Sequence, residues 1–131
     1  MDVRPGASAE VEITVTPDRT ADRLGNPGVL VFATPFLVGL LEQAAGAVIH
    51  PHLPPGASTV GTSVDIRHLA ATPVGMKVRA RAVLVETDGR RYLFDVEAWD
   101  EKEKVAERRH ERFVVPNLET FLERAVKKAG G

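Results

Sequence analysis

The sequence predicts an α+β fold, an antiparallel sheet curled around one central apolar helix. The first observation behind this is the stretch VFATPFLVGLLEQAAGAVIHP, residues 31–51, which from Phe36 to Ile49 is apolar or small on every side except at Glu42 and Gln43. A helix without a polar face is expected to be buried all round. The second is a set of runs with alternating polarity, the period of half-buried strands, joined largely by short turns. One sheet and one wholly apolar helix pair naturally as two layers around a shared core.

The elements follow in chain order. Residues 1–8 read as a loose start. Residues 9–16 alternate, with Val11, Ile13 and Val15 on one face. The stretch 16–28, with two prolines and two glycines, reads as a loop placed to act as a lid over the helix start. Thr34 followed by Pro35 signals the helix start, with Thr34 as N-cap. Gly39 and Gly46 suggest another backbone packed close to the helix, and His50, Pro51 and Pro54 end it.

A strand over 59–69 is expected to put Val60, Thr62, Val64, Ile66 and His68 on one face. Strands over 76–86 and 91–99 flank an Asp88-Gly89 hairpin, with Val78, Ala80, Ala82 and Leu84 of the first and Tyr92, Phe94, Val96 and Ala98 of the second facing the core. Residues 104–115 form a long last strand, whose charged run Arg108 to Arg112 points to an edge, an end or a dimer interface. Asn117 caps a short amphipathic helix over 118–128. The whole reads as a single domain, and the open sheet edge calls for a second copy, so a homodimer or higher homo-oligomer is expected.

Composition narrows the function. The formal net charge is −1 with both signs interspersed, which leaves no electrostatic footprint for nucleic acid or an anionic membrane. There is no cysteine, which excludes a disulfide framework, thiolate zinc and a cysteine nucleophile. The apolar helix is short and broken by glycine, so no membrane span is expected, and the chain reads as cytoplasmic. His50-Pro51-His52 lacks a neighbouring acid or cysteine, so no metal is expected there.

Glu42 is the residue that most invites a chemical role. A carboxylate in an apolar surround must shift its pKa, find a partner or face a cleft. Thr34 lies about 12 Å along the helix from it, too far for a direct hydrogen bond, and an imidazole between them, such as that of His68, would reach both. Hydroxyl, imidazole and acid in that relation serve acyl transfer.

The runs FATPFLVGLLEQAA, GTSVDIRHLAATPVGMKV and HERFVV closely resemble the fluoroacetyl-CoA thioesterase group of the hot-dog-fold thioesterases, over about residues 30–115. The resemblance implies a hot-dog dimer with Thr34, Glu42 and His68 as the catalytic set and Gly61 and Arg112 around the acyl site. It implies hydrolysis of a short acyl-CoA without metal or organic cofactor. Where the family's lid carries a phenylalanine, this chain has Gly25-Asn26-Pro27-Gly28, so selectivity for fluoroacetyl is not implied. The alternative is a non-enzymatic acyl-CoA-binding or sensing module on the same fold.

Overall fold

The computed structural model describes residues 3–130. Five strands form one antiparallel sheet: β1 (Ser8–Thr14), β2 (Ser58–His68), β3 (Lys77–Thr87), β4 (Arg91–Asp100) and β5 (Lys104–Val115), in the spatial order β1-β3-β4-β5-β2. The long helix α1 (Thr34–Ile49) follows β1, and α2 (Leu118–Gly130) follows β5. Every strand and both helices lie where the periodicity puts them, to within two residues at each end.

The inner faces of β3 and β4 are those expected. Val78, Ala80, Ala82 and Leu84 on β3, and Tyr92, Phe94, Val96 and Ala98 on β4, are all buried, and α1 lays Leu37, Leu41, Ala44, Ala45 and Ile49 against them. The small alanines let the helix sit close to the sheet, and burying a side chain such as Leu37 or Phe94 contributes about 1.5–3 kcal/mol each. The Asp88-Gly89 turn forms as predicted, with Gly89 at φ +94° and Asp88 Oδ1 accepting from the backbone N–H groups of Arg90 and Arg91.

Several expectations are corrected. Residues 1–2 of the expected loose start lie outside the described residues, but from Val3 onward the segment is packed: Val3 is buried and Gly6 N–H donates to the Leu84 carbonyl. The stretch 16–28 contains two 3₁₀ turns, Pro17–Arg19 and Ala21–Leu24, and is tied down where Ala21 and Asp22 donate to the carbonyls of Val31 and Val29. Within a single chain α1 is not buried all round, since Phe36 and Gln43 are exposed and Gly39 and Ala47 only half-buried along one side. A Cβ on Gly39 would meet nothing within 4 Å, and one on Gly46 would meet the His50 ring rather than a backbone.

The run Arg108 to Arg112 is not at an edge, because β5 lies between β4 and β2. Its charges divide between faces. Arg109 pairs with Asp95, and Glu111 with Arg91, on the outer side, while His110 and Arg112 are buried. The edges are β1 and β2.

In β2 the pairing with β5 slips between Gly61 and Ser63, leaving Thr62 as an extra residue. Thr59 and Gly61 therefore share a face with Val64, Ile66 and His68, opposite Val114, Arg112, His110, Arg108 and Ala106 of β5. Val60 and Thr62, expected on that face, are not on it. A strict two-residue alternation fails here because the bulge changes the parity.

Candidate active site

Two groups of polar side chains flank α1. At its start, Thr34 Oγ1 and His68 Nδ1 are joined by a 2.8 Å hydrogen bond. The helix N-cap is Ala33, not Thr34, which is the first helical residue and makes no capping bond with its side chain. Its hydroxyl serves the imidazole instead. His68 Nε2 is buried without a hydrogen-bond partner among the described residues, and burial holds the ring below the ordinary imidazole value of 6.5.

The second group lies further along the helix. Glu42 stands on α1 with its side chain 37 % exposed, and Arg112 Nη1 lies 3.6 Å from its Oε2. Both border an open cavity of about 410 Å³ together with Gln43, Gly46, Ala47 and His50. The acid in the apolar helix thus has both a partner and a cleft. Gly61 faces its carboxylate directly: a Cβ there would overlap Glu42 Oε2 and come within 3.1 Å of His110 Cε1. The missing side chain is what makes room for the acid.

Arg112 is buried, with three of its five N–H groups engaged. Its Nε donates to Thr59 Oγ1 at 3.0 Å, Nη2 to the Thr59 carbonyl at 3.1 Å and Nη1 to His110 Nε2 at 3.2 Å. Thr59 Oγ1 in turn lies 2.9 Å from His50 Nε2. Because that oxygen already accepts from Arg112, its own proton is free to go to His50. Partial desolvation of the ring, reinforced by the Arg112 charge, lowers the pKa of His50 although the residue as a whole is exposed.

The structure therefore brings together Thr34 with His68, and Glu42 with Gly61 and Arg112. No hydrogen bond joins Glu42 to His68 in the single chain, so the imidazole reaching both threonine and acid is not formed within it. Sequence reading missed Thr59, His50 and His110. His50 reads only as one of the residues that end the helix, and His110 is hidden in the charged run; its spacing of two from Arg112 on a strand is the available signal. No group of three or more His, Cys, Asp or Glu among the described residues is placed to hold a metal, and no helix is long and apolar enough to cross a membrane.

A hot-dog sheet wrapped on a helix that carries an acid beside a cavity defines the thioesterase class of this fold. The chain belongs to the fluoroacetyl-CoA-specific thioesterase family, which matches residues 15–118. It is 42 % identical over 91 residues to the fluoroacetyl-CoA thioesterase of Streptantibioticus cattleyicolor, an alignment covering 70 % of this chain and 65 % of that protein. It superimposes on a solved fluoroacetyl-CoA thioesterase with a TM-score of 0.90 at 34 % identity, covering 98 % of both chains. A hot-dog-like protein from Thermanaerovibrio acidaminovorans, 22 % identical with 97 % and 93 % of the two chains covered, shares the fold with a TM-score of 0.86.

Proposed function

We propose that the protein is an acyl-CoA thioesterase that hydrolyses a short acyl thioester to the free acid and CoA. The observation that carries the reading is the Glu42 carboxylate, which borders a cavity beside a cation at 3.6 Å yet accepts no hydrogen bond from it. Such a carboxylate is left uncovered, placed to attack the acyl carbon or to deprotonate a water that does. In either route water supplies the oxygen of the acid and the thiolate leaves with a proton, which the Thr34–His68 pair is suited to deliver. The family's named activity on fluoroacetyl-CoA supports a small acyl group and a CoA carrier, and use of a CoA thioester favours a cytoplasmic setting.

The site is proposed to be completed by a second copy. Edge strand β2 is unpaired on one side, Val64 on its inner face is 43 % exposed and Phe36 on α1 is 37 % exposed. A second β2 laid antiparallel along this edge would bring the His68 end of one strand alongside the Ser58–Gly61 end of the other. One copy's imidazole would then approach the other's Glu42, supplying the contact that a single chain lacks.

The test is thiol release from a panel of short acyl-CoAs by the wild type and by Glu42→Ala. Removing a group that acts in acid–base or nucleophilic catalysis lowers turnover by about 10²–10⁴-fold, and a folded E42A variant with near wild-type rates refutes the proposal. A wild type that binds every acyl-CoA and cleaves none favours the sensing module.

A further inference from the structure

Arg112 poses a problem for this chemistry. A guanidinium beside a carboxylate ordinarily closes onto it with two hydrogen bonds, and an acid so clamped is a poor nucleophile or base. Here the guanidinium stops at 3.6 Å. Two of its nitrogens are held by Thr59, at the side chain and the carbonyl. The third, Nη1, is the one nearest Glu42, and it donates to His110 Nε2.

His110 is itself fixed on every side. It is 1 % exposed, lies stacked with Phe94 at 6.5 Å between ring centroids, and has Nδ1 2.9 Å from the Ser63 carbonyl at the β2 bulge. A carbonyl only accepts, so Nδ1 carries the proton and Nε2 is left bare to receive Arg112. A change of tautomer would break both bonds at once. Burial favours the same neutral ring.

We propose that His110 is a positioning residue: by accepting from Arg112 Nη1 it holds the guanidinium off Glu42, so that the carboxylate keeps a neighbouring positive charge without being covered by it. The inference rests on the thioesterase reading and deepens it. The charged and titratable groups near Glu42 are Arg112 and His110 on β5 and His50 across the cavity, while β2 presents the backbone of Gly61.

Three variants of the full chain test this beside E42A. His110→Phe keeps a ring against Phe94 but offers no acceptor, so Nη1 turns to the nearest one left, Glu42. His110→Asn still reaches the Ser63 carbonyl but falls short of Arg112. His110→Gln, whose amide can donate to one and accept from the other, restores both. H110F and H110N are expected to lose about tenfold or more in kcat with KM within about twofold. The acidic limb of their rate profiles is expected to move to lower pH, since a cation in contact favours the charged carboxylate. H110Q is expected to recover most of the rate.

Folded H110F, or H110N should H110F not fold, with wild-type kcat and an unmoved acidic limb overturns the inference, as does H110Q no better than either. An inactive E42A alongside a normal H110F sinks this inference alone, whereas a fully active E42A sinks the thioesterase reading.

Discussion

Gly61→Ala separates the chemistry from the fold more cleanly than removal of the acid does. Gly61 does not adopt the left-handed backbone that only glycine takes easily, so alanine fits the strand, and loss of unfolded-chain freedom favours the variant by about 0.4–1 kcal/mol. Against this, the new methyl overlaps Glu42 Oε2 and presses on His110 Cε1 at 3.1 Å. The ring needs to give only a few tenths of an ångström, but the carboxylate must retreat by about 1 Å, a displacement that can cost about 10²-fold in rate. The retreating group is the end of a flexible side chain, so stability should stay within about 1 kcal/mol of wild type, a few degrees in Tm. Thiol-release kinetics and a thermal melt on one preparation read both quantities. Turnover within about threefold of wild type in a folded G61A protein would refute the view that the acid must act from where it now stands.

Further predictions concern the rest of the site. Thr34→Val removes the hydrogen bond to His68 but no helix cap, so turnover should fall at least tenfold while the melt shifts by only a few degrees, both read on the same samples. Val64→Arg places a charge on the exposed inner face of β2 and should convert a dimer to monomers in sedimentation and abolish turnover together; an active monomer would contradict the shared site. Burial holds His68 and His110 below the ordinary imidazole value of 6.5. The unfolded chain therefore binds more protons than the native one below that value, and stability should decline as pH falls from about 6.5 until the depressed native values are passed. Denaturant melts between pH 7.5 and 5 that show no decline would contradict this.

Much of the architecture was legible because it rests on short-range periodicity. The alternation of Val78 to Leu84 and of Tyr92 to Ala98 states an inner face directly, and Asp88-Gly89 states a turn. Glu42 announced itself by being a charge in an apolar helix. The open side of α1 did not, because an apolar surface left exposed reads letter by letter like a buried one. The charged run in β5 misled for a related reason: an interior strand whose outer face is lined with ion pairs looks, letter by letter, like an edge. Arg112 could be carried over by resemblance, yet its dependence on His110 and Thr59 is a matter of three-dimensional angles, and two of those residues lie more than fifty positions apart.

The slip at Thr62 makes the length of β2 as consequential as its composition. Ironing out the slip while keeping every residue would set Gly61 and His68, seven positions apart, on opposite sides of the sheet, whereas deleting Thr62 would leave them six apart and in phase. Relatives with a regular strand here should therefore have one residue fewer between the glycine and the histidine, and relatives that keep the slip should keep the count. A designer grafting this chemistry onto a regular strand would have to shorten that spacing to an even number or import the irregularity along with the side chains.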